Sequence, residues 1–131
     1  MVDEIVWPIE PIPDADNVFM RAHRVYFREG ELQLGVFKEQ GDGMPVDWDK
    51  YSTAEETKKR ARKNPQDNAV VRMCAGRIRE IASLRVEHQP DRVRQNRPHS
   101  NVLGLPARNT PDLVEVRVKL RRISTIVLPL D

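Results

Sequence analysis

The run Ala69-Val70-Val71-Arg72-Met73-Cys74-Ala75 is almost wholly apolar and stops at Gly76. No stretch of the chain approaches the roughly 20 apolar residues of a membrane span, and a run this short is consistent with a strand buried inside a sheet. Such a strand needs partners. Residues 18–27 are rich in β-branched and aromatic types and hold no Gly or Pro, and residues 31–37 alternate, with Leu32, Leu34 and Val36 on one face. Arg28-Glu29-Gly30 joins the two segments, and Gly30 suits the positive φ of a tight turn, which predicts a β-hairpin over about 18–37. Gly35 inside its second strand suggests a bulge or a close backbone approach. Leu84-Arg85-Val86-Glu87-His88 alternates again and reads as a further strand.

Helices are expected beside this sheet. Ser52-Thr53-Ala54-Glu55 has the spacing of a capping box and opens a polar helix over about 53–63, which ends before Asn64-Pro65. Its acidic first turn and basic end suit the helix dipole, but it holds no large apolar residue to bury. Thr110-Pro111 supplies an N-cap and a first-position proline for a C-terminal helix over about 111–125. Leu113, Val116, Leu120, Ile123 and Val127 keep roughly helical spacing. Val114, Val116, Val118 and Leu120 also alternate, so a strand with a basic outer face is the alternative there. Ile78, Ile81 and Ala82 allow one or two further helical turns. Residues 38–51, with Gly41-Asp42-Gly43, and the polar, proline-containing stretch 89–109 read as loops, and loops as long as the second are commonly functional. The fold class that follows is α+β, a small, mostly antiparallel sheet with helices, in one domain over residues 18–131.

Residues 1–17 have a different character. Trp7-Pro8-Ile9-Glu10-Pro11-Ile12-Pro13 excludes helix and favours an extended arm, which Trp7, Ile9 and Ile12 would strap to the body. Residues 1–16 carry five carboxylates and no Lys or Arg, whereas the other 115 residues carry 22 basic and 15 acidic side chains, a net +7. A basic body suits phosphate or an acidic surface, and the acidic arm would shield that body or dock a protein partner. No secretory leader pattern is visible, so a cytoplasmic setting is expected, with no membrane involvement. The single cysteine, Cys74, excludes an internal disulfide and reads as a small core residue.

Glycine-rich phosphate loops, dinucleotide fingerprints, paired CxxC and HExxH are absent, and His23, His88 and His99 lack the close spacing of a metal site, so no cofactor or metal is expected. Three polar groups supply the candidates. His23 and Arg24 read as mid-strand residues, an imidazole to move protons and a guanidinium to hold phosphate. Asp47, Trp48, Lys50 and Tyr51 lead into a helix N-terminus, which offers backbone N–H groups to an anion and flat rings for stacking. Asn96-Arg97-Pro98-His99-Ser100-Asn101 is almost wholly polar, with His99 its best acid or base. His23, His99 and Tyr51 are therefore the candidate catalytic residues, and Arg24, Trp48, Lys50, Asn96, Arg97 and Ser100 the candidate binding residues. A strand-borne Arg24 followed by an aromatic loop also resembles, in outline, an ADP-ribosyltransferase core, although no residue marks out that family's catalytic glutamate.

Three readings follow. The first is a non-catalytic module whose basic body binds nucleic acid or another acidic partner. The second is an enzyme acting on RNA or a nucleotide through its His and Arg residues, in the manner of a ribonuclease or an ADP-ribosyltransferase. The third is an accessory protein-interaction subunit. A single cleft containing His23, Tyr51 and His99 would favour the enzyme.

Overall fold

A computed structural model describes residues 6–131. In chain order its elements are β1 (Asn17–His23), β2 (Phe27–Arg28), β3 (Glu31–Leu32), β4 (Met44–Trp48), α1 (Ala54–Lys59), β5 (Asn68–Cys74), α2 (Ala75–Arg79), β6 (Arg85–His88), β7 (His99–Leu103), α3 (Pro111–Arg122) and β8 (Thr125–Leu128). Six strands form one sheet in the order β6-β7-β4-β1-β5-β8, and every ladder in it is antiparallel. The protein is an α+β fold. No helix among the described residues is long and apolar enough to cross a membrane.

The apolar run forms β5, which lies between β1 and β8 and pairs with β1 from Asn68 to Cys74. Ala69, Val70, Val71 and Met73 are all but inaccessible, so apolar side chains suit both faces of this strand. Cys74, at its end, is half-buried, and its thiol donates to the Asp14 carbonyl. Along β1 burial alternates: Val18, Met20 and Ala22 are buried. They share the core with Val46, Trp48, Val71, Val86 and Val102 of neighbouring strands, Ile78 of α2, and Val116 and Leu120 of α3. Phe19, Arg21 and His23 point to the other face, joined through the register by Asp47, His99 and Asn101.

Several expected boundaries move. The Glu29-Gly30 turn forms with positive φ at both residues, but it joins only Phe27–Leu32 and Arg28–Glu31. β1 belongs to the main sheet, and Leu34–Val36 is a 3-10 turn. Val36 and Phe37 are both buried, which adjacent residues of a strand with one buried face cannot be. Residues 44–48 and 99–103, read as loop, are strands near the centre of the sheet. β7 lacks a strand's apolar pattern because its buried Ser100 and Asn101 interrupt it; they are satisfied instead by the Pro98 carbonyl and Gln89. The capping box of α1 is Thr53 with Glu56, one residue later than expected. α3 buries Leu113, Val116 and Leu120 and leaves Val114 exposed, so the helical period wins over the alternation. It ends at Arg122, and the β-branched Thr125, Ile126 and Val127 form β8 against β5.

The arm from residue 6 onward lies against this body, while Asp3 and Glu4 fall outside the described residues. Ile12 is buried and Ile9 is 75% exposed. The Asp14 and Asp16 carbonyls accept from Gly76 and Ala75 at 2.9 Å each, Arg79 bonds Asp14 at 2.6 Å, and Trp48 Nε1 donates to Asp16 at 2.9 Å. A side chain at Gly76 would put its Cβ 2.9 Å from both Cβ and O of Asp14, so the close approach requires glycine.

Candidate functional site

β1 and β4 pair only at Val18–Trp48 and Phe19–Asp47. Asp49 N–H bonds the Asn17 carbonyl at 3.0 Å, which fixes the phase: residues 49, 47 and 45 face β1 in turn. Pro45 has no N–H to give, and the ladder stops there. A groove of about 1210 Å³ opens where the ladder ends, walled by both strands, by β7 and by the loops at either side.

Its floor is a polar network. Asp47 is buried, and its carboxylate accepts from Arg60 at 3.0 Å and from Asn96 Nδ2 at 3.2 Å. Arg60 also donates to Ser52 Oγ at 2.8 Å, which bonds Thr57 Oγ1 at 2.8 Å. Arg21 reaches the Thr57 carbonyl at 2.9 Å, and burial makes its proton less tightly held than an ordinary arginine's. This network explains how a helix without large apolar residues packs on the sheet: α1 is fastened by the buried Thr57 and by guanidinium bonds. Asn96 Oδ1 is buried and has no hydrogen-bond partner among the described residues.

His23 and His99 both line the groove. His23 Nδ1 accepts from Val25 N–H at 3.1 Å, so Nε2 carries the proton in the neutral ring. His99 stands opposite Asp47 in the register; burial pulls its pKa below the ordinary histidine range, against the opposing pull of Asp47 and Asp91. Four residues of strand rise and two inter-strand gaps separate the two histidines, about 16 Å on standard strand geometry.

The other candidates lie elsewhere. Tyr51 is not in the groove, so the single cleft with His23 and His99 does not form. Its hydroxyl bonds Glu10 of the arm, whose carboxylate also takes Lys50 at 2.8 Å. Arg97 sits 4.0 Å from the Tyr51 ring centroid and donates to its hydroxyl at 3.2 Å. Trp48 packs edge-on against Tyr51 and His88. The anion that Lys50, Tyr51 and Arg97 face is thus Glu10 of the protein's own arm, and the Tyr51 ring is flanked by Arg97, Trp48 and His88 of the body. Bonding to Lys50 and Tyr51 holds the Glu10 carboxyl below the usual carboxylate range. Ser100 is buried and bonds the Pro98 carbonyl. Arg24 leaves the strand for a 3-10 turn and pairs with Asp67 at 3.0 Å, so Arg24 is not the strand-borne arginine on which the ADP-ribosyltransferase likeness rested.

No family model matches this chain, and neither the curated proteins nor the solved structures contain a match. Among the described residues no group of three or more His, Cys, Asp or Glu is arranged to hold a metal ion.

Sequence reasoning singled out His23, Asp47, Asn96, His99 and Asn101 of the groove but missed Arg21. One signal was available: Arg21 and His23 alternate with the apolar Met20 and Ala22, which marks the polar face of a half-buried strand.

Proposed function

We propose that the protein is a binding module whose groove takes a single-stranded stretch of nucleic acid. The groove wall holds Arg21, Lys38, Arg60, Arg62 and Arg94 against Asp42, Asp47 and Asp91. Arg60 pairs with Asp47 and Arg94 with Asp91, which leaves Arg21, Lys38 and Arg62 against Asp42. The surplus of cations over a recessed polar floor is the observation that carries the reading, because phosphates are drawn to such a surface and base edges need unpaired donors and acceptors. Phe19 and Tyr26 add aromatic faces in the same groove, with Lys38 Nζ 5.1 Å from the Tyr26 centroid.

Binding is better supported than cleavage. A general acid and a general base must both reach one phosphodiester within hydrogen-bond distance. Histidines about 16 Å apart on strand geometry do not meet that condition.

The test is fluorescence anisotropy of a labelled, generic single-stranded RNA at low and at physiological salt. The expected result is binding that weakens with salt and that falls about tenfold in the R62Q/R94Q double variant, each lost phosphate contact removing one counterion-release contribution. No binding at low salt, or equal binding by the variant, would overturn the proposal.

A further inference from the structure

Where β1 begins, β5 ends and α3 turns into β8, a second cavity of about 440 Å³ is lined by Asn17, Arg72, Cys74, Arg77, Arg122, Ile123 and Thr125. We infer that this cavity is a separate anion site, for a compact oxyanion of the phosphate or polyphosphate class, held by Arg72, Arg77 and Arg122. Three arginines line one concavity, and no Asp or Glu is among its lining residues. They come from β5, α2 and α3, so the fold gathers them and no local basic run accounts for the cluster. Other arginines nearby have partners. Arg79, two residues from Arg77, is taken by Asp14 and the Val86 carbonyl, and Arg121, beside Arg122, donates to the Leu32 carbonyl. The side chains of Arg72, Arg77 and Arg122 make no hydrogen bond or ion pair with any described residue.

Three like charges turned to one hollow repel each other, and a bound anion removes that cost. Arginine's fork of donors matches tetrahedral oxyanions, and the Asn17 amide and Thr125 hydroxyl add neutral polar groups to the wall. The Cys74 thiol is occupied by the Asp14 carbonyl and takes no part.

The experiment is isothermal titration of the full chain with inorganic phosphate and with tripolyphosphate, with sodium chloride at matched ionic strength as control. Wild type should bind tripolyphosphate saturably, and each of R72Q, R77Q and R122Q should weaken that binding about tenfold, the worth of one charge-assisted bond pair. All three side chains are exposed, and circular dichroism checks that each variant keeps its fold. Absence of saturable binding, or binding by all three variants as tight as that of wild type, would overturn the inference. The RNA anisotropy assay, repeated on R77Q, separates the sources of the phosphate. Weakened RNA binding assigns the site to a nucleic-acid backbone running past the groove, and unchanged RNA binding assigns it to a free phosphate ligand. Because the groove variants R62Q/R94Q leave this cavity intact, they should still bind tripolyphosphate, so failure here and failure of the groove proposal are distinguishable.

Discussion

The cluster around Tyr51 and the floor of the groove are made of the same residue types in opposite states. In the first, His88 is buried with both nitrogens in use: Nδ1 accepts from Glu10 N–H at 3.1 Å, which leaves Nε2 to donate to the Arg97 carbonyl at 2.8 Å. Lys50, Tyr51 and Arg97 all converge on Glu10. In the second, His99 lines a wide groove with its pKa depressed, and Lys38 and Arg62 of the same groove make no ion pair with a described residue. A cluster whose charges are paired internally is part of the scaffold; one that leaves charges open to a concave face is where a ligand gains most. Residue identity alone would rank the Tyr51 cluster higher, since it has the richer set of aromatic and charged groups.

The largest expected effect separates the network's core from its rim. Asp47→Ala leaves Arg60 and the Asn96 amide facing an emptied, buried position and should cost about 3 kcal/mol of stability in urea unfolding. Asp47→Asn should cost less, because an amide oxygen still accepts. The rim variant R62Q/R94Q should stay within about 0.5 kcal/mol of wild type while losing RNA affinity. If the rim substitutions unfolded the protein as Asp47→Ala does, the division between support and binding surface would fail.

A smaller effect asks whether arm and groove are independent. Gly76→Ala drives a Cβ into Asp14 and should displace the arm, at a cost of about 1–3 kcal/mol for an overpacked contact. Loss of the Trp48–Asp16 bond should shift tryptophan fluorescence to the red. RNA affinity should not change. Tighter binding in this variant would mean that the acidic arm screens the groove, and the two regions would be one system.

How much of this was legible beforehand depended on whether pattern or partner set the outcome. β5 is readable because burial on both faces needs apolar residues everywhere, and α3 because its cap and 3.6-residue period agree. β7 was not, since Ser100 and Asn101 are buried only by virtue of acceptors supplied by Pro98 and Gln89, which no local window contains. β1 could be read as a strand, but its neighbours could not: β4 and β5 lie 21 and 45 residues beyond β1's end, while the adjacent segment 31–37 turned aside to bury Val36 and Phe37. The groove depends on Pro45, whose missing N–H matters only once the phase of the ladder is known.

The capping box offers a local control on both regions. Thr53→Ala removes the hydroxyl that accepts from Glu56 N–H at 3.1 Å and should cost about 1 kcal/mol. α1 carries Thr57, which anchors Arg21, so a loss well beyond that figure would show that the groove floor depends on this helix end.

The smallest effect is a matter of pH, and it places the two regions in different windows. Burial lowers the folded-state pKa of His99, so the unfolded chain takes up a proton at its ordinary value, near 6.5, while the folded chain still resists it. The unfolded state then binds more protons, and stability must fall as pH drops through the ordinary histidine range. His99→Gln should flatten that slope in urea unfolding between about pH 7 and pH 5. Glu10 behaves as a depressed carboxyl: its contribution is present above the ordinary glutamate pKa and is lost only as pH falls through its lower folded value. Glu10→Gln should therefore leave the histidine-range slope untouched and remove part of the fall at acid pH. A bound polyanion favours the charged imidazole, so RNA affinity should rise as pH falls toward 5.5, and His99→Gln should reduce that rise. If the acid-range variant changed the histidine-range slope instead, the arm's cluster and the groove would be electrostatically joined, and the open face could no longer be treated apart from the closed one.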